Sequence, residues 1–190
     1  MKKFLLLLFT AVLLVSCSQA KATNKDNIVT KEDYQNAIKG LQQEPAKVVH
    51  VRDGDTIDVV TKDNKQHAIR MLLLDTPESV KKDVPVMPYG KESSDFTKRL
   101  LENKDVTIVY DKGQKEDPYK RLLAYVFIDG ECVEGKIIRN GYGIVRYINK
   151  PNTTLLPLLQ KEQEQAKKEK INVWSKEGYV TNKGYNTKQR

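Results

Sequence analysis

Residues 47–74 read KVVHVRDGDTIDVVTKDNKQHAIRMLLL. β-Branched and other apolar residues dominate 47–52, 56–61 and 66–74, which predicts three strands broken by Asp53-Gly54-Asp55 and by the turn signal Asp63-Asn64. The third strand does not alternate. Its second half, Arg70-Met71-Leu72-Leu73-Leu74, is apolar apart from the arginine, so both its faces should be covered. A loop over 77–88 with Pro77, Pro85 and Pro88 leads into a helix over about 89–103, then strands over about 105–110 and 121–128. A short helix over about 132–140 stops at Gly141. A last helix, with Thr154 as its cap and Pro157 in its first turn, runs to about Lys170, and Trp174 pins its end. Five short strands with a helix between the third and fourth predict an α+β chain, mainly a closed five-stranded β barrel of OB type with three helices.

The 190 residues carry 33 Lys and Arg against 25 Asp and Glu, a net charge of +8 that favours a polyanionic partner or an anionic membrane surface. Lys2 and Lys3 precede the apolar run Phe4 to Val15, too short for a mature membrane span and suited to a secretory signal. The run ends Leu14-Val15-Ser16-Cys17, which resembles the bacterial lipobox, in which the cysteine is lipidated. The expected organisation is a signal over 1–16, a tether over 17–44, a folded domain over 45–175 opened by Pro45, and a frayed polar tail over 176–190. Within the tether, Thr30-Lys31-Glu32-Asp33 resembles a capping box, and Tyr34, Ile38 and Leu41 fall on one helical face, so a short helix there is one of two readings. Cys132 has no intrachain partner once Cys17 is lipidated; it is expected to be a small core residue, in a domain stable without a disulfide.

Asp53, Asp55, Asp75 and Glu78 gather at strand ends with Arg70 nearby. Such carboxylates repel one another unless a hard cation joins them, and an arginine beside them suits an anionic substrate. Each residue also has a plainer reading. Asp53-Gly54-Asp55 can be a hairpin whose aspartates bond their own backbone. Arg70 can be a structural ion pair, Thr76-Pro77 a turn and Arg121 a surface arginine. Pro77 holds Thr76 extended, which fixes the Thr76 carbonyl as a cation ligand and sets Glu78 just beyond. The loop Asp111-Lys112-Gly113-Gln114 and Asp117-Pro118-Tyr119-Lys120-Arg121 adds a second arginine and a tyrosine. The two histidines, His50 and His67, have no zinc-ligand spacing and read as strand residues. Taken together the residues suggest metal-assisted cleavage of a phosphodiester.

These motifs, with Gln165 to Lys170 and Trp174, resemble the staphylococcal nuclease family over roughly residues 46–174. The resemblance implies an OB barrel and Ca²⁺-dependent hydrolysis of DNA and RNA to 3′-phosphate products, single-stranded or frayed substrate being favoured. It implies Asp55, Asp75 and the Thr76 carbonyl as calcium ligands, and Glu78 as general base. Arg70 and Arg121 would hold phosphate, and Tyr119 and Tyr147 would contact substrate; Lys120, by its charge near the phosphate path, is expected to contact substrate too. The expected protein is a monomer, exported, held outward on the bacterial membrane through Cys17, or shed by proteolysis in the tether. Three positions depart from the family pattern: Pro118 stands for a lysine, Lys120 for a glycine and Asn149 for a tyrosine. A non-catalytic OB module that only holds nucleic acid, and a solute-binding lipoprotein, are the competing readings.

Overall fold

The computed structural model describes residues 28–79, 86–186 and 188; the signal, Cys17 and the tether up to residue 27 lie outside them. Ten strands and four α-helices follow in chain order: α1 (Lys31–Ala37), β1 (Gln42–Asp53), β2 (Thr56–Thr61), β3 (Gln66–Met71), β4 (Leu74–Asp75), α2 (Gly90–Leu101), β5 (Asp105–Tyr110), β6 (Leu122–Ile128), β7 (Glu131–Cys132), α3 (Val133–Arg139), β8 (Ile144–Val145), α4 (Leu156–Glu169), β9 (Val180–Thr181) and β10 (Gly184–Tyr185). Among the described residues no helix is long and apolar enough to cross a membrane.

Five strands close into the expected barrel. The order is β3-β2-β1-β5-β6, and β3 pairs with β6 to complete the ring. All of these pairings are antiparallel except β3 with β6, which is parallel, with Ile69 opposite Leu122, Arg70 opposite Leu123 and Met71 opposite Ala124. β1 is long enough to serve two neighbours. Its C-terminal part pairs with β2, its N-terminal part with β5, and a register shift between Val48 and His50 bends it. Val48, Ile57, Val59, Ile69, Ile108 and Val126 fill the interior with no exposed surface.

The apolar run after Arg70 departs from the sequence expectation. β3 stops at Met71, Leu73 takes a left-handed backbone (φ 59°), and the chain resumes as β4 against β8. Leu72, Leu73 and Leu74 are nonetheless all buried, so the coverage expected for this stretch holds although the single strand does not. The cap expected at Thr154 is also absent. The Thr154 hydroxyl and N–H both donate to Asp111, and α4 begins at Leu156 without a side-chain cap, with Pro157 in its first turn as expected.

Both ends of the folded body extend beyond the expected domain. Thr30 and Asp33 form the capping box of α1, and Tyr34 and Ile38 enter the main core. Tyr34 meets Phe127 edge-on at 6.4 Å, and Gly135 leaves room for it: a Cβ there would lie 2.3 Å from the Tyr34 hydroxyl. Pro45 therefore sits inside β1 and does not open the domain. At the other end, β9 and β10 form a hairpin, and Tyr179 is wholly buried with Ile144 and Val173. The tail over 176–186 is docked rather than frayed, because Tyr179 and Tyr185 supply apolar surface that its composition hides.

Glu134, in α3, is buried where its carboxylate accepts the Val126 N–H (3.0 Å) and the Cys132 S–H (3.3 Å). Burial raises its pKa to about 8 from an ordinary 4.5. The unfolded chain therefore releases this proton before the folded one does. The contribution of Glu134 to stability should fall as pH rises from 4.5 to about 8, by up to about 1.4 kcal/mol per pH unit. Urea unfolding midpoints between pH 5 and pH 8 should show this slope in the native chain and a flatter one in Glu134→Gln.

Candidate active site

The β1–β2 hairpin sets the first carboxylates. Asp53 pairs with Thr56 across the two-residue turn Gly54-Asp55. Asp53 accepts the Gly54 N–H (2.8 Å), as the hairpin reading expected, and also the Ser79 hydroxyl (2.7 Å). Asp55 turns across to the next strand end: one oxygen accepts the Thr56 hydroxyl (2.9 Å), the other the Thr76 N–H (3.3 Å) and hydroxyl (3.4 Å). Helix α2 packs on this turn. The Thr97 hydroxyl donates to the Gly54 carbonyl (2.8 Å), and a Cβ on residue 54 would lie 2.4 Å from the Ser93 hydroxyl. Gly54 is required by this contact.

Arg70 leaves β3 toward the same point. Its Nη1 donates to the Leu74 carbonyl (2.9 Å) and lies 3.1 Å from Asp55 Oδ2. Arg70 thus forms a structural ion pair and lines the cleft as well. The parallel register seats Arg70 opposite Leu123, two residues beyond Arg121. Arg121 holds Asp117 through Nε and Nη2, both at 2.7 Å, and Asp117 also accepts the N–H groups of Tyr119 and Arg121. The guanidinium of Arg121 lies 5.5 Å from the ring of Tyr119, and that of Arg70 lies 5.2 Å from the ring of Tyr147. Tyr119 is 81% exposed and Tyr147 52%, so both rings stand at the rim.

Asp55, Arg70, Asp75, Thr76, Glu78, Tyr119, Arg121 and Tyr147 line one cleft of about 760 Å³, with Asp53, Pro118 and Asn149. Lys120 does not join that lining: its ammonium pairs with Glu116 at 3.0 Å, and its backbone is left-handed (φ 65°). Cys17 lies outside the described residues. The carbonyl of Glu78 accepts the Met87 N–H (2.9 Å).

Among the described residues that line the cleft, carboxylates outnumber arginines. Burial raises the pKa of Asp53 to about 6, with Asp55 and Glu78 adding to it against hydrogen bonds from Ser79 and Gly54. Asp75 is also raised, first by burial and then by Asp55, against Arg146 and Arg70. Every donor offered here is an oxygen, which suits a hard cation. Among the described residues no three His, Cys, Asp or Glu side chains converge. An ion would thus rest on Asp55, Asp75, the Thr76 carbonyl and water.

Sequence reasoning gave no role to several residues that hold the site. Asn152 accepts the Gly113 N–H (2.7 Å) and donates to the Gln114 carbonyl (2.8 Å), which fixes the basic loop. Asp111 accepts from Tyr125 and Thr154 at the loop's base. Asp117 counters Arg121, and Arg146 donates to Asp75. Asp111 and Asp117 lay in the quoted loop, but nothing in the sequence paired them.

The family model described as "Staphylococcal nuclease homologue" matches residues 68–176. The chain belongs to the staphylococcal nuclease family. It is 34% identical to Endonuclease YncB of Bacillus subtilis (strain 168) over 208 aligned positions, covering 98% of each chain. It is 44% identical over 138 residues to the Thermonuclease of Staphylococcus hyicus, covering 73% of this chain and 80% of that one. A Bacillus anthracis protein named as uncharacterized is 48% identical over 165 residues, 87% of this chain and 77% of its own.

The left-handed backbone of Lys120 (φ 65°) suits a glycine, since that conformation costs an ordinary residue about 1–2 kcal/mol. Lys120→Gly should raise stability by about 0.5–1 kcal/mol, the relief being offset in part by glycine's greater freedom when unfolded. Urea unfolding checks it. The exposed pair with Glu116 contributes little to set against this gain.

Proposed function

We propose that this staphylococcal nuclease homologue is an exported endonuclease that hydrolyses DNA and RNA with calcium bound, leaving 3′-phosphate ends. The observation that carries the reading is the meeting of Arg70 and Arg121 with Asp55, Asp75 and Glu78 in one cleft rimmed by two tyrosines. Membership of the family, and relatives named endonuclease and thermonuclease, support it.

Asp55, Asp75 and the Thr76 carbonyl would hold the ion, which when bound adds positive charge beside the phosphate. The two arginines are held in place before substrate arrives, Arg121 by Asp117 and Arg70 by Asp55 and the Leu74 carbonyl. A phosphate can take over the outward guanidinium donors, and the same donors stabilise the charge that builds on its oxygens. Glu78 accepts a proton from the attacking water as the new P–O bond forms. The P–O5′ bond breaks, and the leaving oxygen takes a proton from solvent. Tyr119 and Tyr147 offer faces for bases to stack on. Asn149 lines the cleft without such a face.

Single-stranded DNA and RNA should be cut in calcium and left intact in excess EGTA. Arg121→Ala should lose at least about a hundredfold in turnover. Glu78→Gln should slow turnover while calcium binding, followed by calorimetry, persists. A gel shift with no cleavage under any of these conditions would favour a binding module instead.

Export and anchoring through Cys17 belong to the same reading. A single lipid chain gives marginal attachment, so stable anchoring wants a second chain or a basic patch. Cys17→Ser should move the protein from the detergent phase to the aqueous phase on partitioning.

A further inference from the structure

Asp75 is held by two residues that do not line the cleft. Arg146 Nη1 donates to Asp75 Oδ2 at 2.9 Å, and the Tyr185 hydroxyl donates to the Asp75 carbonyl at 2.9 Å. The backbone seats Arg146 firmly: its N–H donates to the Leu73 carbonyl (3.1 Å), and Asp75 lies opposite Ile144 in the β4–β8 pair. Gly184 lets the C-terminal hairpin lie directly on the guanidinium. With φ +101°, it would place a Cβ 1.9 Å from Arg146 Nη1. The hairpin is itself anchored. Tyr179 is buried, its hydroxyl donates to the Pro88 carbonyl (2.6 Å), and its ring lies 5.4 Å from that of Tyr185. One hairpin thus reaches both Asp75 and, through Pro88, the chain that follows the Glu78 loop.

We propose that Arg146, seated under Gly184, and Tyr185 form a clamp on Asp75, with Arg146 a resident cation that aims the carboxylate and lowers the site's affinity for calcium. The proposal rests on the calcium reading above. In the absence of calcium, Arg146 relieves the repulsion between Asp55 and Asp75. When the ion binds, Arg146 becomes a like charge beside it. The same residue therefore orders the site and weakens its hold on the metal. A weak hold suits an exported enzyme working in abundant extracellular calcium. Arg146 and Tyr185 are positioning residues: both touch Asp75, and Arg146 also lies 5.1 Å from the ring of Tyr147 at the cleft rim.

The roles of charge and geometry predict effects of opposite sign, which separates the clamp from a purely structural part. Calcium titration calorimetry on the full chain without substrate should show Arg146→Ala binding roughly three- to tenfold tighter than the native chain, the scale of one like charge removed from a partly buried site. Its kcat on single-stranded DNA should fall about tenfold, with KM changed far less, because the carboxylate is no longer aimed. Arg146→Lys should restore the native calcium affinity. Tyr185→Phe keeps the charge and removes one hydroxyl, so it should lower kcat several-fold and leave calcium affinity within about twofold. If Arg146→Ala binds calcium as weakly as the native chain or more weakly, the clamp is overturned. So it is if both variants keep native kcat and lose only stability in urea. A folded native chain that gives no calcium heat would overturn the calcium reading and the clamp with it. Native binding with unaltered variants would overturn the clamp alone.

Discussion

The parallel pairing of β3 with β6 is the constraint on which the site depends. It spans only three residue pairs, yet it closes the barrel and sets residues fifty positions apart side by side. Arg70 sits opposite Leu123, so Arg121 enters the cleft from the adjoining strand end. The pairing also limits β3. Beyond Met71 the chain must leave the ring, and it does so through the left-handed Leu73, after which Leu74 and Asp75 pair with β8 instead. Burial of Leu72, Leu73 and Leu74 fixes that change of partner. A continuous third strand would have carried Asp75 past the cleft.

Three arginines at the site are each paired with an anion. Arg70 is paired with Asp55, Arg121 with Asp117 and Arg146 with Asp75. Partly buried pairs of this kind add little net stability, because desolvation offsets most of the attraction. They do hold the guanidinium groups in fixed directions, and for Arg70 and Arg121, which line the cleft, little order has to be created when an anion binds. The pKa values of Asp53 and Asp75 are raised first by burial, and the neighbouring carboxylates add to this. On the proposed reading, the negative charge these carboxylates carry is what the metal ion satisfies.

The barrel was legible because its strands are written in local pattern. Residues 56–61 and 105–110 are strands with the expected bounds. The cleft carboxylates and both arginines were legible as residue types in motifs, although the Asp-Gly-Asp turn could not reveal that Asp53 bonds locally while Asp55 reaches Thr76. The rest depended on tertiary partners. An apolar run such as Met71 to Leu74 reads alike whether or not it breaks at Leu73. The apolar face of α1 was visible, but not the pocket beside Gly135 that takes Tyr34. The C-terminal hairpin hid two aromatic anchors in a polar stretch. Lys120 looked like a substrate contact by its place between Tyr119 and Arg121, but its left-handed backbone and Glu116 turn it aside.

The docking of α1 bears on how an anchored enzyme would meet its substrate. Lys31 and Gln35 donate to the Asp129 and Gly130 carbonyls, at the end of β6 remote from Arg121. β6 runs from Leu122 to Ile128, so its seven residues separate α1 from the cleft by about 20 Å along the strand. Thr30 lies thirteen steps along the chain from Cys17 (30 − 17), and a chain of that length reaches at most about 45 Å. A tether that ran to Pro45 would reach about twice as far and would join the barrel within β1. On the proposed anchoring, then, the lipid would hold the barrel by the end opposite its cleft. A reach of about 45 Å exceeds the strand's length of about 20 Å, so such a tether would leave the barrel free to turn and Asp55, Arg70 and Arg121 free to face a polyanion away from anionic lipid.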